Sequence, residues 1–230
     1  MCVKSYVVRG KVLRSAITFA AALAGLVVAS SARATSAILT ITQTGVSPIT
    51  VLDNGPGDSS PAPGNITWQQ AGVGGFNLSF VNAVSNSPGD GIHGQISQSE
   101  FDIRNTSAGP FTLTITLTDT GFTNPAAADR VLSSDFTATL QGLGANDSVS
   151  LQSSANSTLT PLQTLTVGGT DHQTVPFSDI GTYSLKSVTT VTLSPGATAI
   201  LAASTTVTPE PASLALVGLG GLGLLRRRRA

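Results

Sequence analysis

Residues 111–118 read Phe-Thr-Leu-Thr-Ile-Thr-Leu-Thr, and this strict alternation restricts the fold more than any other feature of the chain. Successive side chains of a strand point to opposite faces, so Phe111, Leu113, Ile115 and Leu117 share one face and the threonines share the other. Such a segment buries its apolar face only when a second layer covers it. Similar runs occur at 37–42, 49–52, 66–69, 76–84, 100–104, 135–140, 148–151, 162–167, 183–193 and 198–206. No comparable stretch has the spacing of an amphipathic helix. Turn-forming clusters separate the runs at 53–58, 87–91, 105–109, 142–147, 168–171 and 194–196. The expectation is an all-β body, an antiparallel β-sandwich of immunoglobulin-like or jelly-roll-like type, over residues 35–207. Its clearest hairpin joins 100–104 to 111–118, with Phe101 and Ile103 on the shared apolar face. The stretch 53–65 reads as a loop, and no fixed-period repeat points to a solenoid.

The formal net charge of zero conceals an uneven layout. Nine of the twelve basic residues are terminal: Lys4, Arg9, Lys11, Arg14 and Arg33 at the start, Arg226 to Arg229 at the end. Between them only Arg104, Arg130 and Lys186 face all twelve acidic residues. An acidic body cannot neutralise phosphates, so nucleic acid is not an expected partner.

Each end reads as a delivery segment. Residues 1–34 have the form of a secretory signal peptide: a basic start, an apolar stretch at 16–28, and Ala32-Arg33-Ala34, with Ala32 and Ala34 as the small residues ahead of a cut before Thr35. That cut removes Cys2, the only cysteine, and with it any disulfide or thiolate chemistry. At the other end, residues 212–225 carry no charge. As a helix they would reach about 21 Å, short of the ~30 Å hydrocarbon core of a bilayer. The expected short transmembrane helix stops at Arg226, Arg227, Arg228 and Arg229. Both basic clusters remain cytoplasmic only if the acidic body lies outside. Pro209-Glu210-Pro211 precedes the apolar run, and its two prolines exclude helix and favour extended chain.

This order of Pro-Glu-Pro, short apolar helix and terminal arginine cluster, over 208–230, resembles the PEP-CTERM sorting signal of Gram-negative bacteria. The resemblance implies a substrate of an exosortase, a membrane-embedded, cysteine transpeptidase-like enzyme that cuts near the motif. It further implies transient residence in the cytoplasmic membrane, then a place at the cell surface or in secreted material, linked to exopolysaccharide and biofilm. Thr208 stands where that family often has valine. The same segment is also known as an ice-binding protein C-terminal domain, a description of sorting and not of activity.

Chemistry is sparse in the body. The histidines, His93 and His172, read as exposed loop residues without metal-ligand spacing, and no Gly-x-Ser-x-Gly occurs. Glu100 and Asp102 lie two apart, so a strand places both on one face, opposite Phe101 and Ile103, as a solvated surface pair and not as a glycosidase dyad. Trp68 and Tyr183 are the only Trp and Tyr after the signal peptide. Calcium is the one ion for which oxygen ligands gather, at Asp53, Asn54 and Asp58, or at Asp90 or Asp171, although none matches an EF-hand loop. The threonine file from Thr112 to Thr120 suggests ice binding only if neighbouring strands repeat it, and the expectation is that they do not. The function expected is that of an exported, non-enzymatic protein of the cell surface or biofilm matrix, with no catalytic residue and no cofactor. The alternative is a carbohydrate- or calcium-binding module, with loops at one end of the sandwich as its site and Trp68 as a possible platform.

Overall fold

The computed structural model describes residues 36–210. The expected signal peptide, with Ala32 and Ala34, the apolar helix, Pro211 and Arg226 to Arg229 lie outside the described residues. All regular structure among the described residues is β: β1 (Ile38–Gln43), β2 (Ile49–Leu52), β3 (Asn65–Val73), β4 (Phe76–Ser85), β5 (Gly94–Asn105), β6 (Phe111–Phe122), β7 (Arg130–Gln141), β8 (Ser148–Ala155), β9 (Thr158–Leu159), β10 (Gln163–Leu165), β11 (Gly169–Phe177), β12 (Tyr183–Leu193) and β13 (Thr198–Pro209). They form two antiparallel sheets. The first runs β10-β8-β12-β6-β1-β2 with β9 beside β8, and the second runs β11-β7-β13-β5-β4-β3.

The alternation at 111–118 becomes β6, whose Leu113, Ile115 and Leu117 are fully buried between the layers. Ile103, Phe76, Leu78, Val81, Phe136 and Val207 cover them from the second sheet or extend the same core. Each such side chain contributes about 1.5–3 kcal/mol on burial. The expected hairpin of 100–104 with 111–118 does not form. β5 pairs with β4 and β13, whereas β6 pairs with β1 and β12. Asn105 redirects the chain between them. Its buried amide donates to the carbonyls of Leu193 at 2.6 Å and Gly109 at 2.9 Å, and its oxygen accepts from the Ser107 amide at 2.9 Å. The link therefore crosses from one layer to the other.

A bulge interrupts β5. Pairing with β13 slips between Ala199 and Leu201, and Asp102 sits at φ 61°. Buried positions accordingly switch from even numbers (Ile96, Gln98) to odd ones (Ile103, Asn105). Simple alternation therefore cannot be carried along the backbone from Gln98 to Ile103. Asp102 is exposed; the side chains of Glu100 and Phe101 lie outside the described ones.

Part of the interior is polar. Ser134 donates to Gln163 Oε1 at 2.6 Å, so the Ser153 hydroxyl, 2.8 Å from Ser134, is left to donate to it, and Thr205 to donate to Ser153 at 2.7 Å. This chain of four fully buried side chains ties β7 and β13 to β8 and β10 across the layers. At one end of the sandwich, Arg130 is 2 % exposed without a carboxylate partner among the described residues. Its guanidinium lies 4.6 Å from the Phe177 ring centre and 4.9 Å from that of Tyr183, and it donates to the Pro125 carbonyl at 3.2 Å. Tyr183 stacks on Phe122 at 5.3 Å and hydrogen bonds to the Asn124 carbonyl. Burial raises its phenol pKa, while Arg130 pulls it down. Gly94 is required beside them, because a Cβ there would lie 2.2 Å from the Tyr183 hydroxyl.

Asp119 is fully buried, with Oδ1 bonded to the Ser36 hydroxyl and the Thr120 amide and Oδ2 unpartnered. Burial pushes its carboxyl above the ordinary range, the hydrogen bonds from Ser36 and Thr120 oppose this, and the charge of Asp53 adds to the push. Two predictions follow from these buried charges. The folded carboxyl of Asp119 keeps its proton to higher pH than the unfolded one, so its contribution to stability is fully present below the ordinary value of 3.8 and is lost as pH rises through the folded value. Urea unfolding between about pH 4 and 7 should show that loss, and Asp119→Asn should remove it. Arg130→Ala should lower the unfolding free energy by about 2–4 kcal/mol in the same assay, because packing and both cation–ring contacts are lost.

Candidate functional site

The expected end of the body at residue 207 falls inside a strand. β13 lies between β5 and β7, and Val207, fully buried, pairs with Gly94 on one side and Leu132 on the other. Thr208 then pairs with Val131 and Pro209 with Arg130. Pro209 is buried, and the Glu210 amide donates to the Asp129 carbonyl at 3.1 Å. Proline is tolerated here because β5 begins at Gly94, so β13 has lost one neighbour by Pro209 and the missing N–H leaves no gap on that side. The first two residues of Pro209-Glu210-Pro211 are thus bound to the sandwich. Periodicity did not show this, because a proline pair normally marks the end of a strand.

The loop carboxylates have local work. Asp53 is 5 % exposed and accepts from the Gly64 amide at 2.7 Å and the Asn54 side chain at 3.1 Å. Asp58 accepts from the amides of Ser60 at 2.8 Å, Thr67 at 2.9 Å and Asn54 at 2.9 Å. These bonds close the loop between β2 and β3, and any ion would have to compete with them. Asp90 ties down its own turn through the amides of Ile92 and His93. Slight burial raises the Asp90 pKa, but those amides and the His93 imidazole outweigh it and hold the carboxyl below its ordinary range. Among the described residues, no three His, Cys, Asp or Glu side chains are grouped to share a metal. His93 lies in a loop as expected, but His172 does not. It is on β11, directly opposite Asp135 on β7, with Nδ1 to Oδ1 at 2.6 Å.

Trp68 and Tyr183 are 4 % and 2 % exposed, so neither forms a surface platform. The threonine file is the reverse case. The structure corrects the expectation that its neighbours do not repeat it: Thr114 is flanked by Thr42 on β1 and Thr190 on β12, Thr116 by Thr40, and Thr112 by Thr192 with hydroxyls 3.0 Å apart. These residues came from separate runs whose register the sequence alone does not reveal.

On the outer face of the second sheet lies a hollow of about 310 Å³. Asn82 of β4, Ser97 and Ser99 of β5, Ser204 of β13, and Asp135 and Thr137 of β7 line it. A second hollow, about 410 Å³, shares Asp135 and Thr137 and adds Thr170, Asp171 and His172 of β11. The Asp135–His172 pair thus stands where the two meet. Val84, Ala202 and Ala203 also line the first hollow, so small hydroxyl and amide groups stand on a largely apolar floor, with no aromatic ring in the lining.

No curated protein matches the chain. Among solved structures, TmCBM61 in complex with β-1,4-galactotriose is similar at a TM-score of 0.32 and 11 % identity, covering 55 % of this chain and 86 % of that one. A CBM4 structure is similar at a TM-score of 0.30 and 14 % identity, covering 67 % of this chain and 93 % of that one. The family model for the PEP-CTERM protein-sorting motif matches residues 207–229, from the buried end of β13 through the arginine cluster. Such signals are recognised by exosortase and imply export and a membrane-anchored precursor processed at the cell surface. The chain carries a PEP-CTERM protein-sorting motif, and that motif begins within β13, the last strand of its sandwich.

Proposed function

We propose that the chain is an exported, non-enzymatic protein whose sandwich serves as a structural or adhesive component of the cell surface or biofilm matrix, in contact with exopolysaccharide. The observation that carries this reading is the sorting motif at 207–229, continuous with the last strand of the sandwich. The successive strands β5 to β8 and β10 to β13 alternate between the layers, which we read as a jelly-roll-like winding. Neither a resident metal nor a cofactor enters this role. Secretion of the sandwich with an acidic surface would keep it soluble until it is attached.

A second reading, favoured by the hollow on the second sheet, is a carbohydrate-binding module whose ligand lies across β4, β5, β13 and β7. It differs from the expected site at the loops and needs no aromatic platform, hydrogen bonds from Asn82, Ser97 and Ser204 taking that role.

Two experiments separate these statements. Intact masses of the protein from cells with and without exosortase should differ at the C-terminus; identical C-termini contradict the sorting reading. On a glycan array, the structural reading predicts no specific glycan. If the hollow is a binding face, a specific glycan binds and Thr137→Arg, which fills the hollow from an exposed position, weakens it by at least about tenfold, a loss of roughly 1.4 kcal/mol.

A further inference from the structure

The sorting motif overlaps the fold, and the overlap limits where the chain can be cut. Processing enzymes take their substrates as extended chain whose backbone groups are free to pair with the enzyme. At Val207 those groups face two occupied neighbours, β5 and β7. At Thr208 and Pro209 the pairing with β7 persists, and the Glu210 amide is bonded to Asp129. Freeing this segment means peeling β13 from the sheet. That would expose Val207 and Thr205, both fully buried, and break the hydroxyl chain from Thr205 to Gln163. Arg130 would also lose its strand partner, since Pro209 lies opposite it.

We infer that the processing cut falls C-terminal to Glu210, so that Pro209 and Glu210 remain with the mature protein as the closing end of β13. The inference rests on the sorting reading given above. In chemical terms the enzyme's nucleophile attacks the carbonyl carbon of the scissile bond. The C-terminal fragment leaves as an amine with a proton, and water or an acceptor amine then takes the acyl group and restores the nucleophile.

The test is mass spectrometry of the protein from cells with exosortase, with the C-terminal peptide sequenced, beside the same protein from cells without it. The expected result is a mature chain that still contains Pro209-Glu210 and has lost only residues that follow Glu210. A C-terminus at or before Thr208 or Pro209 would overturn the inference while leaving the sorting reading intact. Equal full-length masses from both strains would overturn the sorting reading and this inference with it. Limited digestion of the purified full-length precursor with proteinase K is an independent check on the fold. The stable fragment should end at or beyond Glu210, and a fragment ending ahead of Val207 would count against the inference.

Discussion

The second sheet depends on a strand that arrives last. β13 holds β7 and β11 on one side and β5, β4 and β3 on the other. Without it that sheet is two separate three- and two-stranded pieces, each with an unpaired edge. The buried faces of Ala199, Leu201, Ala203 and Val207 complete the interior between the layers. An exported chain enters its compartment N-terminus first, so the sheet cannot close until residues just ahead of the sorting motif have crossed. Such long-range pairing is slow to form relative to local contacts. Membrane retention by the following segment would give the strand time to insert before release.

How legible was this from the residues alone? β2 and β12 match the expected runs at both ends, because each is an alternating stretch of β-branched and apolar residues bounded by turn formers. β11 was missed. Gly168-Gly-Thr-Asp at its start reads as a turn, and as an edge strand it carries mostly exposed polar side chains, with apolar residues only near its end. The first half of β5 was missed for a related reason: one face offers Gln95, Ser97 and Ser99, and the buried face includes Gln98. The bulge then reverses the alternation, so no simple period-two reading carries from Gln98 to Ile103.

The delivery motif was legible because its parts are adjacent in sequence. The hollow was not, since its lining comes from β4, β5, β7 and β13, which are distant in sequence and meet only through sheet order. The same is true of the threonine ranks and of the Asp135–His172 pair. Even where the motif was recognised, its relation to the fold was hidden. Pro209 looked like the start of a free segment, and only the pairing with Arg130 shows it to be the end of a strand. Buried polar groups were equally hidden. Asp119 and Arg130 lie in contexts that read as ordinary surface sequence, and their burial follows from the ends of two sheets closing over them.

The central claim is that the folded sandwich extends through Glu210. Amide hydrogen exchange of the purified full-length protein tests it most directly, since the Glu210 amide is bonded to the Asp129 carbonyl and Pro209 has no amide of its own. The account predicts that Val207 exchanges as slowly as the core amides of β6 and that Glu210 is protected by at least about tenfold over an unstructured chain. Exchange of Val207, Thr208 and Glu210 at unstructured rates would contradict it.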